Sequence, residues 1–326
     1  MPRSPSRPRT TSRGLRRSTP AASLPAFLLA LLLTLTACGD DSSDSGAAAA
    51  ESSDSGAFPV TVTGADGELT LDERPETIVS MSATATEMLF AIGAGDQVEA
   101  ADDTSNYPDE APTTELSAFT PNAEAIAEYA PDLVVLSDDL NGIVDALDAL
   151  SVPTLLLPAA ETVDDTYEQL DTLGEATGHA EEADEVIADV QDRIAAAVES
   201  VGADAEGKRV YHELDPSFYS AGSSTFIGSI YAMFGLENIA DSAADAAGGY
   251  PQLSAEYIVG QQPDLIVLAD TICCEQTAET VAQRPAFATV PAVQEGRVLE
   301  VSDDVASRWG PRIADFTESV AAELQG

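Results

Sequence analysis

The chain has 326 residues, 57 of them acidic against 14 basic, which gives a formal net charge of −43. That imbalance excludes nucleic acid as a partner, because phosphate recognition needs clustered Lys and Arg. Apolar residues make up 44 % of the chain, enough for the cores of two lobes of ordinary domain size.

Six arginines and no acid lie between Met1 and Arg17, and an apolar run from Leu24 to Leu35 follows. The run is too short for a bilayer, which needs roughly 20 residues. A basic stretch, a short apolar core and small residues before Cys38 make residues 1–37 a secretory signal. Its ending, Leu35-Thr36-Ala37-Cys38, resembles a bacterial lipobox, which implies that Cys38 is lipidated and becomes the mature N-terminus. Arg16-Arg17 leaves general and twin-arginine export both open. Residues 38–57 are Ser, Asp, Gly and Ala with almost no bulky apolar side chain, the composition of a flexible tether. The expected location is extracytoplasmic, on a membrane through the lipid. Removing the signal leaves 8 basic residues against 57 acids, a net of −49. That surplus reads as general surface solvation in salty surroundings.

From residue 58 onward, short apolar runs alternate with helical patterns. The strand-like runs are Thr77–Met81, Leu133–Leu136, Pro153–Leu157, Arg209–Tyr211, Leu265–Leu268 and Arg297–Val301. Thr86–Ile92, Ile143–Leu150 and Phe226–Phe234 are among the helical segments between them. Such alternation predicts parallel sheets with helices on both faces. Residues 123–138 (AEAIAEYAPDLVVLSD) align without gaps on residues 255–270 (AEYIVGQQPDLIVLAD), with nine of 16 positions identical. The offset from Ala123 to Ala255 is too long for a solenoid and means two similar lobes. A helical pattern from His179 to Val201, closed by Gly202, lies between them. The expected organisation is an α/β chain of two Rossmann-like lobes, residues 58–178 and 203–326, joined by one long α-helix over 179–202, with a ligand cleft between the lobes.

This plan resembles the metal-chelate class (class III) of periplasmic binding proteins, which serve ABC importers of ferric siderophores, haem and cobalamin. The resemblance rests on Ser82–Gly93 (SATATEMLFAIG), Ser105–Pro108, and Glu124 with Pro131-Asp132-Leu133. It continues in Gly235–Asn238, Glu256 with Pro263-Asp264-Leu265, and Ala306–Arg312 (ASRWGPR). It covers nearly all of residues 58–326. It implies a monomer that delivers a small chelate to a permease dimer, with one surface glutamate per lobe docking on permease arginines. Those positions are Glu124 and Glu256 here. Each also follows a helix N-cap (Asn122, Ser254) by two residues, where a carboxylate is locally favoured, but local capping does not explain why both lobes keep one.

Ligands of open α/β sheets bind beyond the carboxyl ends of the strands. From the first lobe this nominates Ser82, Thr84, Thr104, Tyr107 and Phe119, with Ser137-Asp138. From the second it nominates Phe218, Tyr219, Phe226, Arg308 and Trp309, with Asp270–Cys274. Trp309 beside Arg308 suits a flat, conjugated ligand with some negative charge. No direct metal ligand and no resident cofactor is expected. Within the resemblance the cargo is expected to be an iron chelate, a ferric siderophore first, with cobalamin or haem as the alternatives. The cobalamin-binding members carry aromatic side chains near the positions of Thr104 and Ala118; this chain has neither, which counts against cobalamin, and Phe119 stands one position away. For haem, His212, Tyr107 and Tyr219 are the axial candidates. Adjacent Cys273 and Cys274 are either a vicinal disulfide or two thiols.

Enzyme motifs are absent. Gly202–Arg209 fits the start of a phosphate loop, but it leaves a helix to enter a strand and lacks the following Ser or Thr. There is no GxSxG or HExxH. With two histidines, acid–base chemistry is poorly supplied, and the chain is expected not to be an enzyme. A solute sensor that never meets a transporter would share the fold without needing Glu124 and Glu256.

Overall fold

Three apolar runs set the architecture. Ile78–Met81, Leu133–Leu136 and Leu265–Leu268 are buried along their whole length, as parallel strands covered on both faces must be. A computed structural model describes residues 58–244 and 248–326; the signal, the tether and Cys38 lie outside the described residues. A hairpin of β1 (Val60–Gly64) and β2 (Gly67–Leu71) precedes the first lobe. That lobe runs β3 (Ile78–Met81), α1 (Ala83–Ala91), β4 (Val98–Ala101), α2 (Ala123–Ala127), β5 (Leu133–Leu136), α3 (Ile143–Asp148) and β6 (Thr154–Leu156). Two helices follow, α4 (Val163–Thr177) and α5 (Ala180–Val201). The second lobe runs β7 (Arg209–Glu213), α6 (Phe226–Met233), β8 (Glu237–Asn238), α7 (Asp241–Ala244), α8 (Ala255–Gln261) and β9 (Leu265–Leu268). It ends with α9 (Ala278–Ala282), α10 (Pro291–Glu295), β10 (Val298–Glu300), α11 (Asp303–Ser307) and α12 (Ile313–Gln325).

Both sheets are parallel and share one plan. The first is ordered β4-β3-β5-β6 and the second β8-β7-β9-β10, so in each lobe the chain starts beside the middle and reverses direction between its first and third strands. The internal repeat supplies the third strand of each sheet, and the structure gives its identities a cause. The Asp132 carboxylate accepts from the backbone N–H groups of Glu76 and Thr77 at 2.9 Å, pinning the start of β3. Asp264 does the same for Arg209 and β7 at 2.8 Å. The residue before each Pro-Asp turns left-handed, Ala130 at φ 48° and Gln262 at φ 51°.

Alternate strand residues build two core layers per lobe. Ile78 and Leu133 face one side of the first sheet, and Val79 and Val134 face the other. Leu265 and Ile266 divide likewise in the second. The crossing between lobes is thicker than the sequence indicates. Helix α5 has 22 residues, about 33 Å at 1.5 Å per residue. It puts Ala183 in the first core and Val190, Ile194, Ala197 and Val201 in the second, while Val186 touches both. Helix α4 returns alongside, with Leu170, Leu173 and Ala176 in the first core and Val163 in the second. Gly174 permits this pairing, since a Cβ there would meet the Ala183 Cβ at 2.5 Å. Arg193 of α5 then ties in α12 through Asp315 at 2.5 Å and Glu318 at 2.8 Å.

Close backbone approach recurs in α6, where a Cβ on Gly228 would overlap the carbonyl oxygen of Gly222. Gly228→Ala should therefore lower stability by about 1–3 kcal/mol through overpacking, read as a lower denaturant midpoint. An unchanged midpoint would show that the 222–223 turn yields freely.

Candidate functional site

The lobes meet through a buried ion cluster. Helix α1 starts from Ser82, whose hydroxyl caps it by accepting from the N–H of Ala85, and carries Glu87 inward to 1 % side-chain exposure. Two arginines of the second lobe converge on that carboxylate. Arg312 donates from Nε at 2.8 Å and from Nη2 at 2.5 Å, and Arg308 donates from Nη1 at 2.7 Å. Arg308 also donates to the Asp304 carboxylate at 2.8 Å, the Asn106 side chain at 2.9 Å and the Thr104 carbonyl at 2.9 Å. Asn106 in turn donates to Asp304 at 2.8 Å. Two guanidiniums against Glu87 and Asp304 leave the cluster neutral, the condition under which buried charges are tolerated. Trp309 lies at the junction of the two cores and touches both. Its indole N–H goes to Gln169 of α4 at 3.0 Å. The polar groups of Arg308 and Trp309 are thus engaged by the protein itself. Glu87, inside a motif noted in the sequence, gave no sign there of its partners at the far end of the chain.

Because Arg308 touches the loop after β4, the carboxyl edges of the two sheets face one another. The first lobe brings Ser82 and Thr84, both buried, the half-buried Thr104, and two exposed aromatics, Tyr107 and Phe119, the latter 71 % exposed. Arg312 lies 4.1 Å from the Tyr107 ring centroid. The second lobe brings Tyr219 at 41 % and Tyr250 at 43 % exposure, joined through a bridge between Tyr219 and Gln252, and Ile272 at 66 %. Ile272 falls inside the nominated Asp270–Cys274 stretch. Tyr250 escaped the sequence reading; its signal was adjacency to Pro251. Phe226 is buried in the second core. Phe218 is half-buried and stacks on Phe287 at 6.3 Å, with the Arg284 guanidinium 5.4 Å from its ring. Its φ of 70° is rare for a bulky side chain and marks local strain in the rim.

Below that rim, at the carboxyl ends of β7 and β9, lie two buried carboxyls. Glu213 takes a bidentate pair from Arg284 at 2.6 and 2.5 Å and the Tyr211 hydroxyl at 3.0 Å. Asp270 is fully buried, and neither of its oxygens has a hydrogen-bond donor among the described residues. Burial, with the Glu213 charge adding to it, pushes the Asp270 carboxyl up to about 7. Its repeat partner Asp138 is exposed. His212 is fully buried, with Nδ1 2.6 Å from the Tyr231 hydroxyl, and burial lowers it to about 3. It faces Phe316 in the second core rather than the cleft. Cys273 and Cys274 are joined as a vicinal disulfide in the loop after β9. Glu124 and Glu256 are exposed in the first turns of α2 and α8, at matching positions of the two lobes.

Residues 78–305 match the family described as periplasmic binding protein. The ABC transporter substrate-binding lipoprotein YvrC of Bacillus subtilis is 29 % identical over 311 residues, 92 % of this chain and 95 % of that one. A cobalamin-binding protein of Halobacterium salinarum is 31 % identical over 299 residues, 88 % of this chain and 80 % of that one. Among solved structures, the periplasmic haem-binding protein HutB of Vibrio cholerae superposes with a TM-score of 0.67 at 22 % identity, over 77 % of this chain and 99 % of that one. That last likeness establishes the fold alone. No described helix is long and apolar enough to cross a membrane.

Two substitutions probe this geometry. Glu87→Gln leaves two guanidiniums facing each other without their shared anion, and should cost about 3–5 kcal/mol in chemical denaturation; a loss below about 1 kcal/mol would mean the cluster does not hold the lobes. The folded state binds the Asp270 proton more tightly than the unfolded chain, where the carboxyl titrates near 3.8. The wild type should therefore lose stability as pH climbs from about 4 to about 7 and level off above. Asp270→Asn should flatten that segment and raise the melting temperature at pH 8, as read by thermal denaturation across pH.

Proposed function

Since the chain belongs to the periplasmic binding protein family, the substrate-binding proteins of ABC importers, we propose that its cargo is a metal chelate of the corrinoid class, held between the lobes and delivered without chemical change. The observation that carries this reading is the set of exposed aromatics in the loops that follow the strands, Phe119 in the first lobe and Tyr219 and Tyr250 in the second; Tyr107 instead lines a cavity with Phe90, Arg193 and Arg312. Aromatic side chains left in water cost solvation that packing against the apolar surface of a macrocycle recovers. The engaged arginines argue against a strongly anionic ferric chelate. Arg308 and Arg312 already neutralise Glu87 and Asp304, and Arg284 beneath the rim already pairs with Glu213; separating any of them to meet an anion would unpair a buried carboxylate. Similarity to a cobalamin-binding protein supports the same choice.

Delivery is assigned to Glu124 and Glu256. Their places at equivalent helix starts make two matched carboxylates, suited to a permease dimer that offers a cation to each lobe. Cys38, as a lipidated N-terminus, would keep the protein at the membrane on its tether, and one chain per permease dimer suffices.

Calorimetric titration with cyanocobalamin, haemin and a ferric hydroxamate tests the cargo. Saturable binding of cyanocobalamin, tighter than the other two by at least tenfold, is the expected result, and binding of the hydroxamate alone would overturn it. In whole cells, Glu124→Lys with Glu256→Lys should abolish uptake while leaving the dissociation constant unchanged; surviving uptake would sink the docking assignment.

A further inference from the structure

The loop after β9 is built to turn an apolar face outward. Its polar backbone is satisfied from behind: the N–H groups of Ile272 and Cys273 donate to the two Asp303 oxygens at 3.0 and 2.9 Å. The Cys274 carbonyl accepts from the Gln276 side chain at 3.0 Å, and the Thr271 hydroxyl donates to the Val301 carbonyl at 2.9 Å. What remains outward is the Ile272 side chain and the ring closed by Cys273 and Cys274, with Cys273 itself exposed and the exposed Glu275 following the ring. The loop's place is fixed relative to the other lobe as well. Asp303, which holds it, precedes Asp304, which bonds Asn106 across the cleft. The loop also follows one of the two strands between which the second sheet reverses direction, the position where open α/β sheets take their ligands.

The geometry points to the Cys273–Cys274 disulfide as a wall of the ligand cleft, which with Ile272 packs against the apolar surface of the bound chelate and gives way when the disulfide is reduced. The inference rests on the capture reading above. Two neighbouring cysteines joined through sulfur hold the intervening peptide in a closed eight-membered ring, so the surface is rigid before the ligand arrives and little conformational entropy is lost on binding. A dithiol reductant donates two electrons and two protons, the S–S bond breaks, two thiols form, and the reductant leaves as its cyclic disulfide. The peptide between the two cysteines is then released from the ring, while the Asp303 anchors persist, and the surface presents two mobile S–H side chains instead of a closed ring.

The test uses the full chain in detergent, titrated calorimetrically with cyanocobalamin and with haemin. Four forms are compared: oxidised wild type, wild type reduced by a dithiol with two free thiols counted, the reoxidised sample, and Ile272→Ser with the disulfide intact. Reduction is expected to weaken binding at least tenfold, reoxidation to restore it, and Ile272→Ser to weaken it about fivefold with no change in melting temperature. Cys273→Ser with Cys274→Ser should match the reduced protein without any reductant present. Equal affinity of the oxidised and reduced forms overturns the wall while leaving capture intact. Failure of the oxidised wild type to bind either probe overturns the capture reading and the wall with it.

Discussion

A carboxylate with almost no exposure, held by two arginines from the other lobe, is the contact on which the rest of this molecule depends. Each sheet has its own core layers, and among the described residues the two cores share only the α4–α5 pair and Trp309. The α4–α5 pair sets how far apart the lobes sit, and the Glu87 cluster sets how they face. Its directionality matters more than its net energy. Three guanidinium donations to one carboxylate fix orientation in a way that apolar packing alone does not. The cluster also brings the loop after β4 against α11 and so aligns the two carboxyl edges into one cleft.

Arg308 and Arg312 near the junction, and Arg284 beneath the rim, are each paired with a carboxylate. Many of the acids lie on exposed helix faces such as that of α5, and others, such as Asp138, stand at the strand ends.

Much of the fold was legible because it rests on local and periodic signals. The apolar runs gave the central strands. Gly202 marked the end of α5, and the repeat gave two lobes with a common plan, down to the aspartate that pins a neighbouring strand. The site was less legible. Glu87 stands near the start of the first lobe and Arg308 and Arg312 near the end of the second, and no periodicity links a buried carboxylate to arginines beyond a whole lobe. Trp309 reads in sequence as a ligand platform because an aromatic beside a guanidinium fits that use equally well; only tertiary contact shows it seated between the cores on Gln169. Tyr250 lies in a polar stretch after α7 with no strand before it, so a rule based on strand ends passes over it. The α4 helix was similarly hidden, since its apolar residues divide between two cores and form no single stripe.

The repeat also sets a difference between its copies. Asp138 and Asp270 close the same strand in the two lobes, yet one is exposed and the other is buried near Glu213, with its carboxyl pushed up to about 7. A duplicated plan has thus yielded a cleft whose two jaws are chemically unlike at corresponding points, one ending in a solvent-facing carboxylate and the other in a rim of Tyr219, Tyr250 and Ile272. Pseudo-symmetry of the backbone does not extend to the recognition surface. The two strand ends that the repeat makes equivalent in backbone thus differ in what they present, an exposed carboxylate on one side and a buried one on the other.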